Sequence, residues 1–250
     1  TLDNVTIKNA AGYTIPSGAT LNVATAFTGG TANASLTNNG TLGFPTAILT
    51  LTGGTNAPGT ITNNGTINTV TNLTLISTTF YHNGTFSVLT DLTLGSGTTY
   101  ELQNTTSSTA FALTNLTIQS GGTINHKANG ATQTYTLNLS ISSNLDLQAG
   151  GAINVNAKGF ATSAVNSAGS GTGAGGAGSA CISIISGGAG YGGTGGAGLS
   201  SGGAGGVTYG SLTAPVDLGS SGGRANCSGT SNANAGGGAV KLSVTGTLTV

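Results

Sequence analysis

Val70-Thr71-Asn72-Leu73-Thr74-Leu75 is followed by Leu89-Thr90-Asp91-Leu92-Thr93-Leu94 and then by Leu113-Thr114-Asn115-Leu116-Thr117-Ile118, one phrase written three times. An earlier copy stands at Leu2-Asp3-Asn4-Val5-Thr6-Ile7 and a degenerate one at Leu137-Asn138-Leu139-Ser140-Ile141. The steps between copies are 68, 19, 24 and 24 residues, the first close to three steps of about 23. A period of roughly 20 to 50 residues marks stacked repeats, each burying its apolar face only against its neighbours.

Within each repeat, Leu, Ile and Val alternate with Thr, Asn and Ser, a period of two that predicts strand and leaves helix nearly absent. A second phrase follows the first: Ser17-Gly18-Ala19-Thr20-Leu21, Asn39-Gly40-Thr41-Leu42, Asn64-Gly65-Thr66-Ile67, Asn83-Gly84-Thr85-Phe86, Gly121-Gly122-Thr123-Ile124 and Gly150-Gly151-Ala152-Ile153. Asn-Gly and Gly-Gly tolerate positive φ, so each copy reads as a corner leading into a new strand. Asn-Gly between alternating apolar residues is also a hairpin signal, which makes an antiparallel sandwich the rival fold. The two phrases recur as different strand types in a fixed order, as the faces of a coil do. The expected fold is all-β: a right-handed parallel β-helix, or β-solenoid, of about seven coils over residues 1–157, rising about 4.8 Å per coil.

From about Lys158 the composition changes. Thr becomes rare, and Gly fills about a third of the positions from Ser167 to Gly238. A flexible low-complexity linker is one reading of such a stretch. Strand-like pieces interrupt the Gly runs at Cys181-Ile182-Ser183-Ile184-Ile185 and Val207-Thr208-Tyr209-Gly210-Ser211-Leu212, and the repeat grammar resumes afterwards. These anchors favour a packed glycine-rich insertion over 158–238, PPII-like because only Gly lets backbones approach so closely. Residues 239–250 return to the β-helix. Cys181 and Cys227 are the only sulfur in a chain without Met. As a disulfide they close a loop of about 46 residues, worth roughly 3 to 4.5 kcal/mol, and imply an oxidising, extracellular setting. The alternative is two unpaired buried thiols.

The run Tyr209-Gly210-Ser211-Leu212-Thr213-Ala214-Pro215-Val216-Asp217-Leu218-Gly219-Ser220-Ser221-Gly222-Gly223, followed by Gly236-Gly237-Gly238-Ala239-Val240-Lys241-Leu242, resembles the glycine-rich module of large surface or secreted adhesin-like proteins. In those proteins the module is flanked by β-helical repeats. The resemblance covers roughly residues 150–250 and implies an extracellular structural or adhesive role. It brings no catalytic residues.

A formal net charge of zero and only 4% charged residues leave no field to steer the chain to nucleic acid or an anionic membrane. Neither run length nor pattern suggests a membrane span. A neutral surface of this kind is prone to self-association. Hydrophobic residues at 36% and aromatics at 5% suit a thin solenoid core better than one thick globular core. The chain has no initiator Met, opens within a repeat phrase and closes within a strand-like run. It therefore reads as an excerpt of a longer protein or as a subunit whose ends stack on other copies.

The acidic residues are Asp3, Asp91, Glu101, Asp146 and Asp217. A β-helix lyase or glycosidase needs carboxylates clustered on one face. Asp3 and Asp91 share a slot about four coils apart, roughly 19 Å, too far for one reacting centre. Asp91 with Glu101 is the best enzyme pair available. His82, after Tyr81, and His126, before Lys127, lack metal-ligand spacing and read as loop or corner residues. No cofactor, metal site or catalytic residue is expected. Sequons are ten in number, hardly above what the composition gives by chance, and Asn39, Asn64 and Asn83 are the exposed glycosylation candidates. Asn72 and Asn115, which share a strand slot, are candidates for a stacked amide ladder inside the solenoid.

Three functions compete. A non-catalytic extracellular filament, stalk or adhesin segment leads, forming a homo-oligomer or homopolymer by end-to-end stacking because open strand edges invite pairing. A Thr-rich face binding surface glycans, or less readily ice, comes second, and the unequal coil lengths predict an irregular Thr array. A polysaccharide-degrading β-helix enzyme comes last, for want of carboxylates and aromatics.

Overall fold

The computed structural model describes residues 2–7, 12–29, 34–44, 48–53, 59–162, 164–178, 185–199, 202–213, 215–225 and 235–250. Cys181 and Cys227 lie outside the described residues. The first ten strands are β1 (Leu2–Ile7), β2 (Gly12–Ile15), β3 (Thr20–Gly29), β4 (Ser35–Asn38), β5 (Thr41–Gly43), β6 (Ile48–Thr52), β7 (Gly59–Asn63), β8 (Thr66–Asn68), β9 (Asn72–Ile76) and β10 (Thr78–His82). They are followed by β11 (Thr85–Phe86), β12 (Asp91–Leu94), β13 (Thr99–Leu102), β14 (Phe111–Leu113), β15 (Asn115–Ile118) and β16 (Thr123–His126). The last are β17 (Leu137–Ile141), β18 (Leu145–Leu147), β19 (Ala152–Ile153), β20 (Val240–Val244) and β21 (Leu248–Thr249). No helix occurs among the described residues.

Every strand pairs in parallel with the strand one coil away. Sheet I runs β2-β4-β7-β10-β13-β16-β19, sheet II β6-β9-β12-β15-β18-β21, sheet III β1-β3-β5-β8-β11, and sheet IV β14-β17-β20. Sheet IV takes in later coils the place in chain order that sheet III holds in earlier ones. The described residues are thus all-β, with parallel strands stacked in several sheets in the manner of a parallel β-helix or solenoid. The seven strands of sheet I stand beside the expectation of about seven coils.

Alternation places apolar side chains inside and Thr outside along sheets I and II. Leu36, Ile61, Phe80, Tyr100 and Ile124 form one registered inward column in sheet I, and all five are buried. Leu73, Leu92, Leu116 and Leu145 form another in sheet II, none more than 1% exposed. Burying one such Leu contributes about 1.5 to 3 kcal/mol, so the thin core is stabilised rung by rung.

The repeat phrases divide differently from the sequence reading. Asn72, Asp91 and Asn115 are in register in sheet II, but the copy at Leu2–Ile7 is β1 and pairs with β3 in sheet III. The copy at Leu137–Ile141 is β17 in sheet IV, and β18 holds the sheet II position. A period of two looks the same on every face, so the phrase alone could not assign a side. The second phrase is likewise two corners. Asn39-Gly40, Asn64-Gly65 and Asn83-Gly84 lead into sheet III, where Thr41, Thr66 and Thr85 are registered. Gly121-Gly122 and Gly150-Gly151 lead into sheet I.

Each corner needs glycine for its own reason. At Gly121 the backbone has φ of 77°, and its N–H donates to Gly150 O at 2.8 Å while its O accepts from Gly97 N at 3.1 Å. Gly65 instead lies so close to the coil before it that a Cβ would overlap Gly40 O.

Between β19 and β20 the chain runs through residues 154–239, and then β20 pairs with β17 and β21 with β18. Much of the described part is held by backbone bonds between glycine-rich segments, such as Gly176 N to Ala204 O at 2.7 Å, Gly188 N to Gly196 O at 2.8 Å and Gly206 N to Gly188 O at 2.9 Å.

Candidate functional site

Two amide ladders run along the corner between sheets I and III. Asn38 and Asn63 end registered strands and point inward, both fully buried. Asn38 Nδ2 donates to Asn63 Oδ1 at 2.8 Å and to Thr66 O at 3.0 Å, and Asn63 Nδ2 donates to Thr85 O at 3.3 Å. Asn39, Asn64 and Asn83, the sequon candidates, follow immediately and are exposed. They form the outer ladder: Asn64 Nδ2 donates to Asn39 Oδ1 at 2.9 Å and Asn83 Nδ2 to Asn64 Oδ1 at 3.4 Å. The ladder expected inside at Asn72 and Asn115 is elsewhere: both are half-exposed, and Asp91 stands between them, accepting from Asn115 Nδ2 at 2.7 Å.

Neither histidine is a loop residue. His82 ends β10, is 2% exposed, and places Nδ1 2.6 Å from Tyr100 OH. Phe80, Phe86, Tyr100 and Phe111 surround its ring at centroid distances of 5.0 to 6.3 Å. Burial lowers its pKa to about 4, against a smaller opposing effect of a backbone hydrogen bond at Gly84. His126 ends β16 and is fully buried. Its Nδ1–H donates to Lys127 O at 2.8 Å, which leaves Nε2 without a hydrogen-bond partner. Burial again lowers the pKa, with Lys158 acting in the same direction and Glu101 and the Lys127 carbonyl opposing.

The structure does not bring Asp91 and Glu101 together. Asp91 is in sheet II, whereas Glu101 is in sheet I and pairs with Lys158, Nζ to Oε2 at 2.8 Å. Glu101 Oε1 also accepts from Gln103 Nε2 at 2.9 Å. Asn125 is the registered neighbour of Glu101 on β16. It is 9% exposed, and its Oδ1 lacks a hydrogen-bond partner. Sequence reasoning missed this ion pair because its members stand 57 positions apart.

The Thr array is regular. Ser35, Thr60, Thr79, Thr99 and Thr123 are registered in sheet I, and Thr50, Thr74, Thr93 and Thr117 in sheet II. Steps of 25, 19, 20 and 24 residues along the sheet I column show that unequal coils keep one register. The difference is absorbed between strands, as in residues 103–110 and 127–136.

The apolar columns continue onto β20 and β21, where Leu242 is registered on Leu139 and Leu248 on Leu145. A groove of about 540 Å³ runs beside β20, lined by Pro215, Val216, Val240 and Leu242.

Among the described residues, no three His, Cys, Asp or Glu side chains are placed to hold a metal ion, and no helix is long and apolar enough to cross a membrane. No family model, curated protein or solved structure matches this chain.

Proposed function

We propose that this chain is a non-catalytic structural segment of an extracellular or cell-surface rod, a right-handed β-solenoid whose rungs stack along one axis. The observation that carries the reading is the stacking of parallel strands in registered columns: Leu36, Ile61, Phe80, Tyr100 and Ile124 in sheet I and Leu73, Leu92, Leu116 and Leu145 in sheet II bury a thin core rung by rung. Such an architecture extends by adding rungs, in the same polypeptide or in another copy of it. With a net charge of zero, repulsion does not oppose the stacking.

Residues 158–238 are read as a glycine-rich insertion on the side of the solenoid, in keeping with the adhesin-like resemblance. The return of β20 to the top of β17 supports this, as do the backbone bonds between glycine-rich segments. The Cys181–Cys227 disulfide would fasten it.

Small-angle X-ray scattering is expected to show an elongated particle with one narrow cross-section. A compact sphere would count against the rod.

A second reading is favoured by the registered Thr columns. Rows of hydroxyls about 4.8 Å apart suit an extended, repeating polar ligand such as a surface glycan. Co-sedimentation with insoluble polysaccharides tests it, and loss of binding on replacing Thr74, Thr93 and Thr117 with Val is the expected result.

A further inference from the structure

The chain has four Asn-Gly pairs, Asn39-Gly40, Asn64-Gly65, Asn83-Gly84 and Asn129-Gly130, and the structure sets the first apart from the others. In any such pair the glycine N stands one bond short of closing a succinimide ring on the Asn Cγ, and glycine has no side chain to hinder it. What differs is how the atoms are held. Asn64 N and Gly65 N both donate to Asn38 O, at 2.8 and 2.9 Å, and Asn83 N and Gly84 N both donate to Asn63 O, at 2.9 and 2.7 Å. The rung beneath Asn39 turns at Pro16 rather than at an Asn-Gly pair. Asn39 N donates to Ile15 O at 2.9 Å, but Gly40 N reaches only a side chain, Asn38 Oδ1, at 3.2 Å. The amide groups differ as well. Asn64 Nδ2 and Asn83 Nδ2 are donors in the outer ladder, whereas Asn39 Nδ2, at its end, donates to no group among the described residues. Asn39 Oδ1 accepts from Asn64 Nδ2 at 2.9 Å. Asn129 is buried and tied on both sides, Nδ2 donating to Tyr135 O and Lys158 O and Oδ1 accepting from Thr134 N and Tyr135 N.

We propose that Asn39 is a site of self-modification, converting to aspartate and isoaspartate with Gly40 N as nucleophile and Asn64 as donor to the oxyanion. A base from solvent takes the proton of Gly40 N, whose hydrogen bond to Asn38 Oδ1 is at the long end of the range. The nitrogen bonds to Asn39 Cγ, and the carbonyl electrons move to Oδ1, where the Asn64 Nδ2 donor meets the developing charge. The carbonyl reforms, the Cγ–Nδ2 bond breaks, and ammonia leaves, taking a proton from solvent. Water then adds to one of the two succinimide carbonyls and opens the ring, giving aspartate from attack at Cγ and isoaspartate from attack at the main-chain carbonyl. Water is the one co-reactant. The new carboxylate takes the formal net charge from zero to minus one. Isoaspartate also routes the main chain through a side-chain carbon immediately before Gly40, whose O accepts from Thr66 N at 2.9 Å, so the corner is re-spaced against the next rung. Glycosylation would use the same Nδ2, and the two fates exclude each other at this residue.

The test is peptide mapping by mass spectrometry on the full chain, produced without N-glycosylation, held folded at mildly alkaline pH and sampled over time. Asn39 is expected to convert first, roughly fivefold or more ahead of Asn64 and Asn83, the factor that one backbone hydrogen bond is worth. Asn129 is expected to stay an amide. In chain unfolded by urea, the four pairs are expected to convert at similar rates. Asn64→Ala, which removes the donor to Asn39 Oδ1 at an exposed position, is expected to slow conversion at Asn39 severalfold. Asn64 or Asn83 converting as fast as Asn39 would overturn the proposal, as would an Asn39 that stays an amide or the same ranking in the unfolded chain. An Asn64→Ala chain that converts Asn39 at the wild-type rate would overturn the role given to Asn64.

Discussion

At the scale of single residues, the structure depends on a few polar side chains that are buried and hydrogen-bonded in the interior. Asn38 is the clearest: removing its amide takes away the donor it supplies to Asn63 Oδ1 and Thr66 O in the interior. Asn38→Ala is therefore expected to cost about 1 to 3 kcal/mol in denaturant unfolding. Asn39→Ala, one position along but exposed, should change stability by no more than about 0.5 kcal/mol. His82 makes stability depend on pH. Its folded pKa of about 4 is below the ordinary 6.5, so between those values the unfolded chain binds the extra proton. Stability is then complete above pH 6.5 and falls as pH drops toward 4, by an amount on the order of 3 kcal/mol. Melting temperatures measured across this window in wild type and His82→Phe are the check, and the variant should lose much of the slope.

At the scale of elements, the alternation of Leu with Thr and the Asn-Gly corners made strands, turns and their parallel stacking legible in the sequence. Which copy stacks on which was not legible. Leu2–Ile7 and Leu137–Ile141 carry the same pattern as the sheet II strands yet belong to other sheets, because only pairing distinguishes the sides. The histidines were misread for a related reason: a polar residue ending a strand looks like a corner until its partner, Tyr100 for His82, is known. The unequal coil lengths misled about the Thr columns, since register is kept in the strands and the surplus goes to the connections. The exposed positions of Asn39, Asn64 and Asn83 agree with the reading of the corners. The corner glycines give an element-level test. Gly65→Ala sets a Cβ on Gly40 O and is expected to cost roughly 1 to 3 kcal/mol. Gly130→Ala meets nothing within 4 Å, and its thermal unfolding should be close to that of wild type.

At the scale of the whole molecule, near-zero charge and a thin core built rung by rung belong together. Charge repulsion does not oppose the stacking of rung on rung. The seven strands of sheet I, at about 4.8 Å each, span roughly 30 Å along the stacking direction. The most direct measurement is electron microscopy of the protein, asking whether it is a thin rod. A solenoid of stacked rungs gives unbranched rods of one narrow width with a rise of about 4.8 Å per rung. Compact particles of no preferred axis would contradict the account.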